Sequence, residues 1–175
     1  MRRRRSPNIT LLLLAAASTA GCNTAVTSLE ADRVPADAAE VSGQRVLLGS
    51  LSSFRYYSGL TERQRLVIRS SSAWDEAWKR ITARSSPAQP APAVDFDHEI
   101  VVLVAMGQRP TGGYSIAIEG LFEAGGALYA LVRETSPGSR CFTTQALTQP
   151  IDAVRVPRRA GAVAFVERTA TNECD

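Results

Sequence analysis

The longest unbroken apolar stretch outside the N-terminus is Ile100-Val101-Val102-Leu103-Val104-Ala105-Met106. Continuous rather than alternating hydrophobicity over seven residues predicts a central strand covered on both faces. Residues 64–69 set Leu66 and Ile68 against Val67 and Arg69, the period of two expected of a strand. Trp74, Trp78 and Ile81 fall at i, i+4 and i+7, which predicts a helix with all three on one face and Asp75, Glu76, Lys79 and Arg80 towards the others. Ser72 is the expected N-cap, with Asp75 three residues on as an acidic variant of the capping box. Further strands are expected at 45–51, 114–118, 121–122, 127–132, 151–156 and 162–166, with Gly125-Gly126 as a tight turn. Residues 85–92 form a Pro/Ala/Ser connector that ends the helix. The expected class is therefore mainly β with one α-helix: an antiparallel β-sandwich-like or partly open barrel domain with the helix packed on it. Residues 114–118 are expected to pair with 100–106 as a hairpin.

The ends change the picture. Arg2, Arg3, Arg4 and Arg5 precede the apolar residues 9–17, a run roughly half the ~20 residues a membrane-spanning helix needs. It reads as a cleavable export signal. Ser18-Thr19-Ala20-Gly21-Cys22 resembles a bacterial lipobox, departing from it at Thr19, where a large aliphatic residue is usual. The expectation is a lipoprotein signal peptide over 1–21, lipidation of Cys22, a flexible tether over 22–44, and a domain over 45–175. The other reading is ordinary secretion. Lipidation would leave Cys141 and Cys174 as an even pair, expected to form a disulfide in an exported protein. Asn23 is not the aspartate associated with inner-membrane retention, so outer-membrane sorting is expected if the source has two membranes. The chain carries 20 basic and 17 acidic residues; removal of residues 1–21 takes four arginines and no acids, leaving 16 against 17. That balance gives nucleic-acid binding no electrostatic basis.

Candidate chemistry is sparse. His98 is the single histidine, so any Ser-His-Asp or Cys-His arrangement would have to use it, and it lies in an acidic stretch ahead of a strand. Asp95, Asp97, His98 and Glu99 point in different directions on an extended chain and make a poor metal site. Thr111-Gly112-Gly113 lacks the lysine and following helix of a phosphate loop. The expectation is a protein that is not an enzyme and takes no metal or cofactor.

The stretch Gly107-Gln108-Arg109-Pro110-Thr111-Gly112-Gly113-Tyr114 is the most constrained on the chain. Proline fixes φ near −65° and the glycine pair admits φ > 0, so Arg109, Pro110, Thr111, Gly112, Gly113 and Tyr114 form either a rigid partner-binding loop or a turn. Together with Trp74 and Trp78, Val94-Asp95-Phe96, Gln145-Ala146-Leu147-Thr148-Gln149-Pro150 and Val154-Arg155-Val156-Pro157, this stretch resembles the PrcB-type family, named for an accessory subunit of a bacterial surface protease complex. The resemblance implies a lipid-anchored envelope protein that binds, and stabilises, a protein partner such as a protease. Cys141 and Cys174 lie outside the family motif. Pro110-Thr111-Gly112-Gly113-Tyr114 is also similar to a loop of chagasin-type cysteine-protease inhibitors, which implies inhibition as the alternative. A third reading is a structural envelope lipoprotein without a protease partner.

Overall fold

The computed structural model describes residues 28–46, 49–87 and 89–174. The signal segment and Cys22 lie outside them. Among the described residues nine strands form two sheets: β1 Ser28–Ala31, β9 Val163–Asn172, β7 Ala127–Pro137, β6 Ser115–Ala124 and β2 Ala39–Glu40 in spatial order in one, and β3 Gln44–Arg45, β8 Ile151–Pro157, β5 Glu99–Met106 and β4 Arg63–Ile68 in the other. The sheets pack face to face as a sandwich, and helix α1, Ser71–Ile81, covers the outer face of the four-stranded sheet.

Strand β5 explains its own sequence. Ile100, Val102, Val104 and Met106 face the five-stranded sheet and meet Ile118, Leu121, Leu128, Val132 and Phe165. Val101, Leu103 and Ala105 face the opposite way, towards Trp74, Trp78 and Ile81 of the helix. Both faces of the strand are covered from Ile100 to Met106, which accounts for the unbroken apolar run. Val67 joins the inter-sheet layer while Ile68 packs under the helix, as the alternation of β4 predicts.

The helix is capped two residues before the expected position. Ser70 is extended, and its hydroxyl accepts a hydrogen bond from the Ala73 N–H at 3.3 Å. In a run of three serines the one still in the strand direction of β4 takes the cap, which places Ser72 inside the first turn. Of residues 45–51, expected as a strand, Arg45 belongs to β3 and 49–51 belong to a 3-10 turn over Gly49–Arg55.

Two pairings depart from expectation. Residues 114–118 do not form a hairpin with β5. Both edges of β5 are taken, Leu103 lying opposite Leu66 of β4 on one side and Ala153 of β8 on the other, so β6 joins the second sheet. The stretch 107–114 therefore crosses between sheets. The expected tether also contributes structure: β1 pairs in parallel with β9, Ser28 opposite Val163, and β2 pairs with Glu123 and Phe122 of β6. Short strands without an apolar period escape pattern reading, yet each completes a ladder at a sheet edge that would otherwise be open there. The β6–β7 hairpin turns as expected at Gly125 and Gly126, both at positive φ.

Polar ties join the sheets. Asp152 of β8 is fully buried; its carboxylate pairs with Arg45 of β3 in the same sheet and reaches across to accept the Ile118 N–H of β6 at 2.9 Å. At the other edge Arg65 of β4 reaches Glu134 of β7 and Glu167 of β9, each at 2.6 Å.

Candidate functional site

The 107–114 crossing is held along its length by residues 144–150. Arg109 N–H donates to Thr148 O at 2.8 Å and Thr148 N–H donates back to Arg109 O at 3.1 Å. The Thr148 hydroxyl donates to Thr111 O at 2.8 Å, and Gly112 N–H donates to Thr144 O at 2.9 Å. On its other side the 144–150 segment is bound to residues 56–58: Gln149 N–H donates to Tyr56 O at 2.8 Å, and the Ser58 hydroxyl donates to Gln149 O at 2.8 Å. Three irregular segments thus form one ribbon at the end of the sandwich where β5 finishes and β6 and β8 begin.

The glycines fit this packing. Gly113 sits at φ +84°, in the left-handed region, where any side chain is strained. Gly112 needs close approach instead, since a Cβ there would stand 2.4 Å from the Thr144 hydroxyl oxygen.

The six residues expected to meet a partner divide by exposure. Pro110 and Gly113 are exposed; Arg109, Thr111, Gly112 and Tyr114 are half-buried. Tyr114 packs against the inter-sheet core. The Arg109 guanidinium stands 5.9 Å from the Tyr114 ring centroid and 3.9 Å from a Glu134 carboxylate oxygen. Arg109 and Tyr114 therefore work largely inside the molecule, holding the loop to the charge cluster at Arg65, Glu134 and Glu167.

Exposed apolar surface lies beside them. Among the described residues the large hydrophobic side chains most open to solvent are Tyr56 at 46%, Tyr57 at 53%, Phe142 at 106% and Leu147 at 52%. All four belong to the 56–58 segment or to the connection between β7 and β8, and the two segments are joined at Tyr57 and Gln149. Sequence reading passes over Phe142 and Leu147. The available signal is their occurrence in a Thr/Gln/Ser-rich connection with no period that would bury them. The connection is closed by the disulfide between Cys141 and Cys174, which ties it to the C-terminal end of the chain.

The acidic turn is separate. His98 Nδ1 lies 2.8 Å from Asp95 Oδ2, and the other Asp95 oxygen accepts the Asp97 N–H at 3.1 Å. Among the described residues no three His, Cys, Asp or Glu side chains are grouped to hold a metal ion. The bond from Asp95 holds the His98 imidazole above its ordinary value of 6.5, with the charges of Asp95, Asp97 and Glu99 adding to it. The same bond, with the Asp97 and His98 backbone N–H groups, holds Asp95 below its ordinary 3.8. The pair needs charged histidine and ionised aspartate. Its contribution is present in full from above 3.8 to below 6.5, fading as pH falls through the lowered Asp95 value or rises through the raised His98 value. A proton NMR titration of the single histidine should give a midpoint above 6.5, and Asp95→Asn should bring it back down. An unchanged midpoint in that variant would remove Asp95 as the cause.

Residues 100–157 match the PrcB C-terminal family. The match spans β5 to β8 and so takes in the 107–114 crossing, Cys141, Phe142, Leu147 and Gln149. No curated protein and no solved structure matches the chain.

Proposed function

We propose, from the PrcB C-terminal segment at residues 100–157, that this chain is a non-catalytic accessory protein that binds a protein partner in a protease complex. The contact face is the outer side of the ribbon of 56–58, 107–114 and 144–150, with Phe142 just beyond its end. The observation that carries this reading is the gathering of Tyr56, Tyr57, Phe142 and Leu147, exposed, on two joined segments. An exposed aromatic side chain stays in water at a cost that a partner surface relieves, and aromatic residues are the usual anchors of such contacts. The rigid backbone of the ribbon lowers the ordering cost of binding. Pro110 and Gly113 add exposed rigid surface at its border, while Arg109 and Tyr114 support it from beneath.

Export and lipidation at Cys22 complete the proposal, with the domain displayed at the cell envelope. The basic segment at residues 2–5, the short apolar run and Gly21-Cys22 support it, as does the Cys141–Cys174 disulfide, a bond suited to an oxidising compartment. Metabolic labelling with a fatty-acid analogue should mark the wild type and leave Cys22→Ser unlabelled.

The test of the face is a crosslinking capture from native membranes with the tagged chain. Phe142→Ser/Leu147→Ser should lose the partner that wild type recovers, at least tenfold by yield, while keeping the wild-type unfolding midpoint because both side chains are exposed. Equal recovery by wild type and variant would remove this face from the interaction. If the partner is a protease, adding peptide substrate separates stabilisation, where turnover persists longer, from inhibition, where it stops.

A further inference from the structure

The chain buries a glutamine whose side-chain amide is left over from the bonding of its segment. Gln149 is 1% exposed, and its side-chain amide nitrogen has no hydrogen-bond partner among the described residues. Its backbone is fully engaged with Tyr56 and Ser58, so the residue is firmly placed. Buried polar groups are nearly always paired, and an unpaired one calls for an explanation. Gln149 lines an open pocket of about 450 Å³ between the turn that carries Phe54 and Tyr57, the connector that follows the helix, and Leu147.

The chemistry of that pocket is one-sided. Arg84, Ser85 and Ser86 bring a guanidinium and two hydroxyls, and Gln149 stands in the lining with its amide nitrogen shielded from solvent. None of the described residues that line the pocket is acidic. Arg84 is exposed and its side chain has no partner among the described residues. Tyr57, Pro87 and Leu147 supply an apolar wall. A group that fits both halves is an acceptor-only anion attached to an apolar side chain. Carboxylates suit the planar fork of a guanidinium and accept from amide and hydroxyl donors together.

We propose that this pocket takes the C-terminal residue of a polypeptide partner, with its carboxylate turned towards Arg84 and Gln149 and its apolar side chain against Tyr57 and Leu147. A polypeptide is favoured over a free small acid by position. Tyr57 and Leu147 belong at once to the pocket and to the exposed face described above, so a chain end entering here lies continuous with a protein seated on that face. The proposal rests on the reading of that face as a protein contact. A carboxylate could also come from an aspartate or glutamate side chain within a partner, and the test separates the two.

Fluorescein-labelled pentapeptides ending in leucine, valine or phenylalanine, each as free acid and as carboxamide, are titrated with the purified chain and followed by fluorescence polarisation. The free acids should bind at least tenfold tighter than the amides. Arg84→Gln, at an exposed position, should abolish the difference. Gln149→Leu, of similar volume, should weaken the acids while raising the thermal midpoint of the unliganded chain, because an orphan donor is replaced by an apolar group. Acids and amides that titrate alike, no binding of either, or indifference to Arg84→Gln would overturn the proposal. So would equal binding by an amidated peptide with an internal Leu-Asp pair, which would move the carboxylate to a side chain. The outcomes separate from those of the face. Capture that depends on Phe142 and Leu147 while no acid peptide binds removes the pocket alone. Acid peptides that bind while capture ignores Phe142 and Leu147 remove the face alone.

Discussion

Glu134→Ala should destabilise the chain by about 3 kcal/mol, the low end of the range for breaking a buried ion pair. The Arg65 side chain is only 8% exposed. Its five N–H groups meet five acceptors: Glu167 Oε1 and Oε2, Glu134 Oε1, and the carbonyls of Gln64 and Ala105. Burial works against its charge, and the bonds to Glu167 and then Glu134 more than reverse that, leaving the guanidinium above its ordinary value. Alanine at 134 leaves one of those donors facing a void with the charge still in place. Glu167 remains to neutralise it, which keeps the loss below the upper end of that range. The same substitution frees Arg109, whose guanidinium stands 3.9 Å from Glu134, so the 107–114 crossing should loosen as well. Urea unfolding of wild type, Glu134→Gln and Glu134→Ala is the check, with glutamine expected between the other two because it keeps an acceptor and the volume. A loss under about 0.5 kcal/mol for alanine would place the cluster with ordinary surface pairs.

The second large effect belongs to the helix. Trp78→Ala should cost about 3–5 kcal/mol, the range for truncating a buried aromatic side chain. Trp78 is 3% exposed, meets the Phe54 ring edge-on with centroids 5.6 Å apart, and lies 5.5 Å from Trp74. Its indole N–H donates to Gln89 O at 2.8 Å, and that of Trp74 donates to Pro92 O at 2.9 Å. The two indoles thus pin the connector, whose described residues lie in no helix or strand. Trp78→Phe keeps most of the burial and removes the hydrogen bond with part of the ring volume, so it should lose roughly half as much. If alanine and phenylalanine proved equally costly, the hydrogen bond and not the packing would hold the helix to the sheet. Phe54 and Gln89 also line the Gln149 pocket, so the alanine variant should disturb that pocket while phenylalanine spares it.

What the sequence discloses tracks how local the cause is. The β5 run and the Trp74/Trp78/Ile81 face are legible because burial on each face writes a period into consecutive residues. The pairing of β5 is not. Two apolar stretches separated by a short Pro/Gly loop look like a hairpin, and only the distant strands β4 and β8, which take both edges of β5, forbid it. Asp152 is invisible for the same reason: its partner Arg45 is 107 positions away. At the candidate site Arg109 stands out in the sequence as a cation no turn requires, and Glu134 answers why it is there. Phe142 and Leu147 carry no such mark, since composition alone does not distinguish an apolar loop residue that packs from one that stays in water.

Strand β1 sets where the chain could stand at a membrane. Only residues 23–27 separate Cys22 from Ser28, a reach of roughly 20 Å at full extension. Ser28 lies level with Val163 and Leu128, whereas Ser115 lies level with Thr135 and Ala170, seven rungs and about 23 Å farther along the sheet. An anchor on Cys22 would therefore tether the molecule to the lipid by one pole, with the ribbon of 56–58, 107–114 and 144–150 at the other. A partner would be met standing off the membrane, at a height set by the length of the sandwich together with that reach.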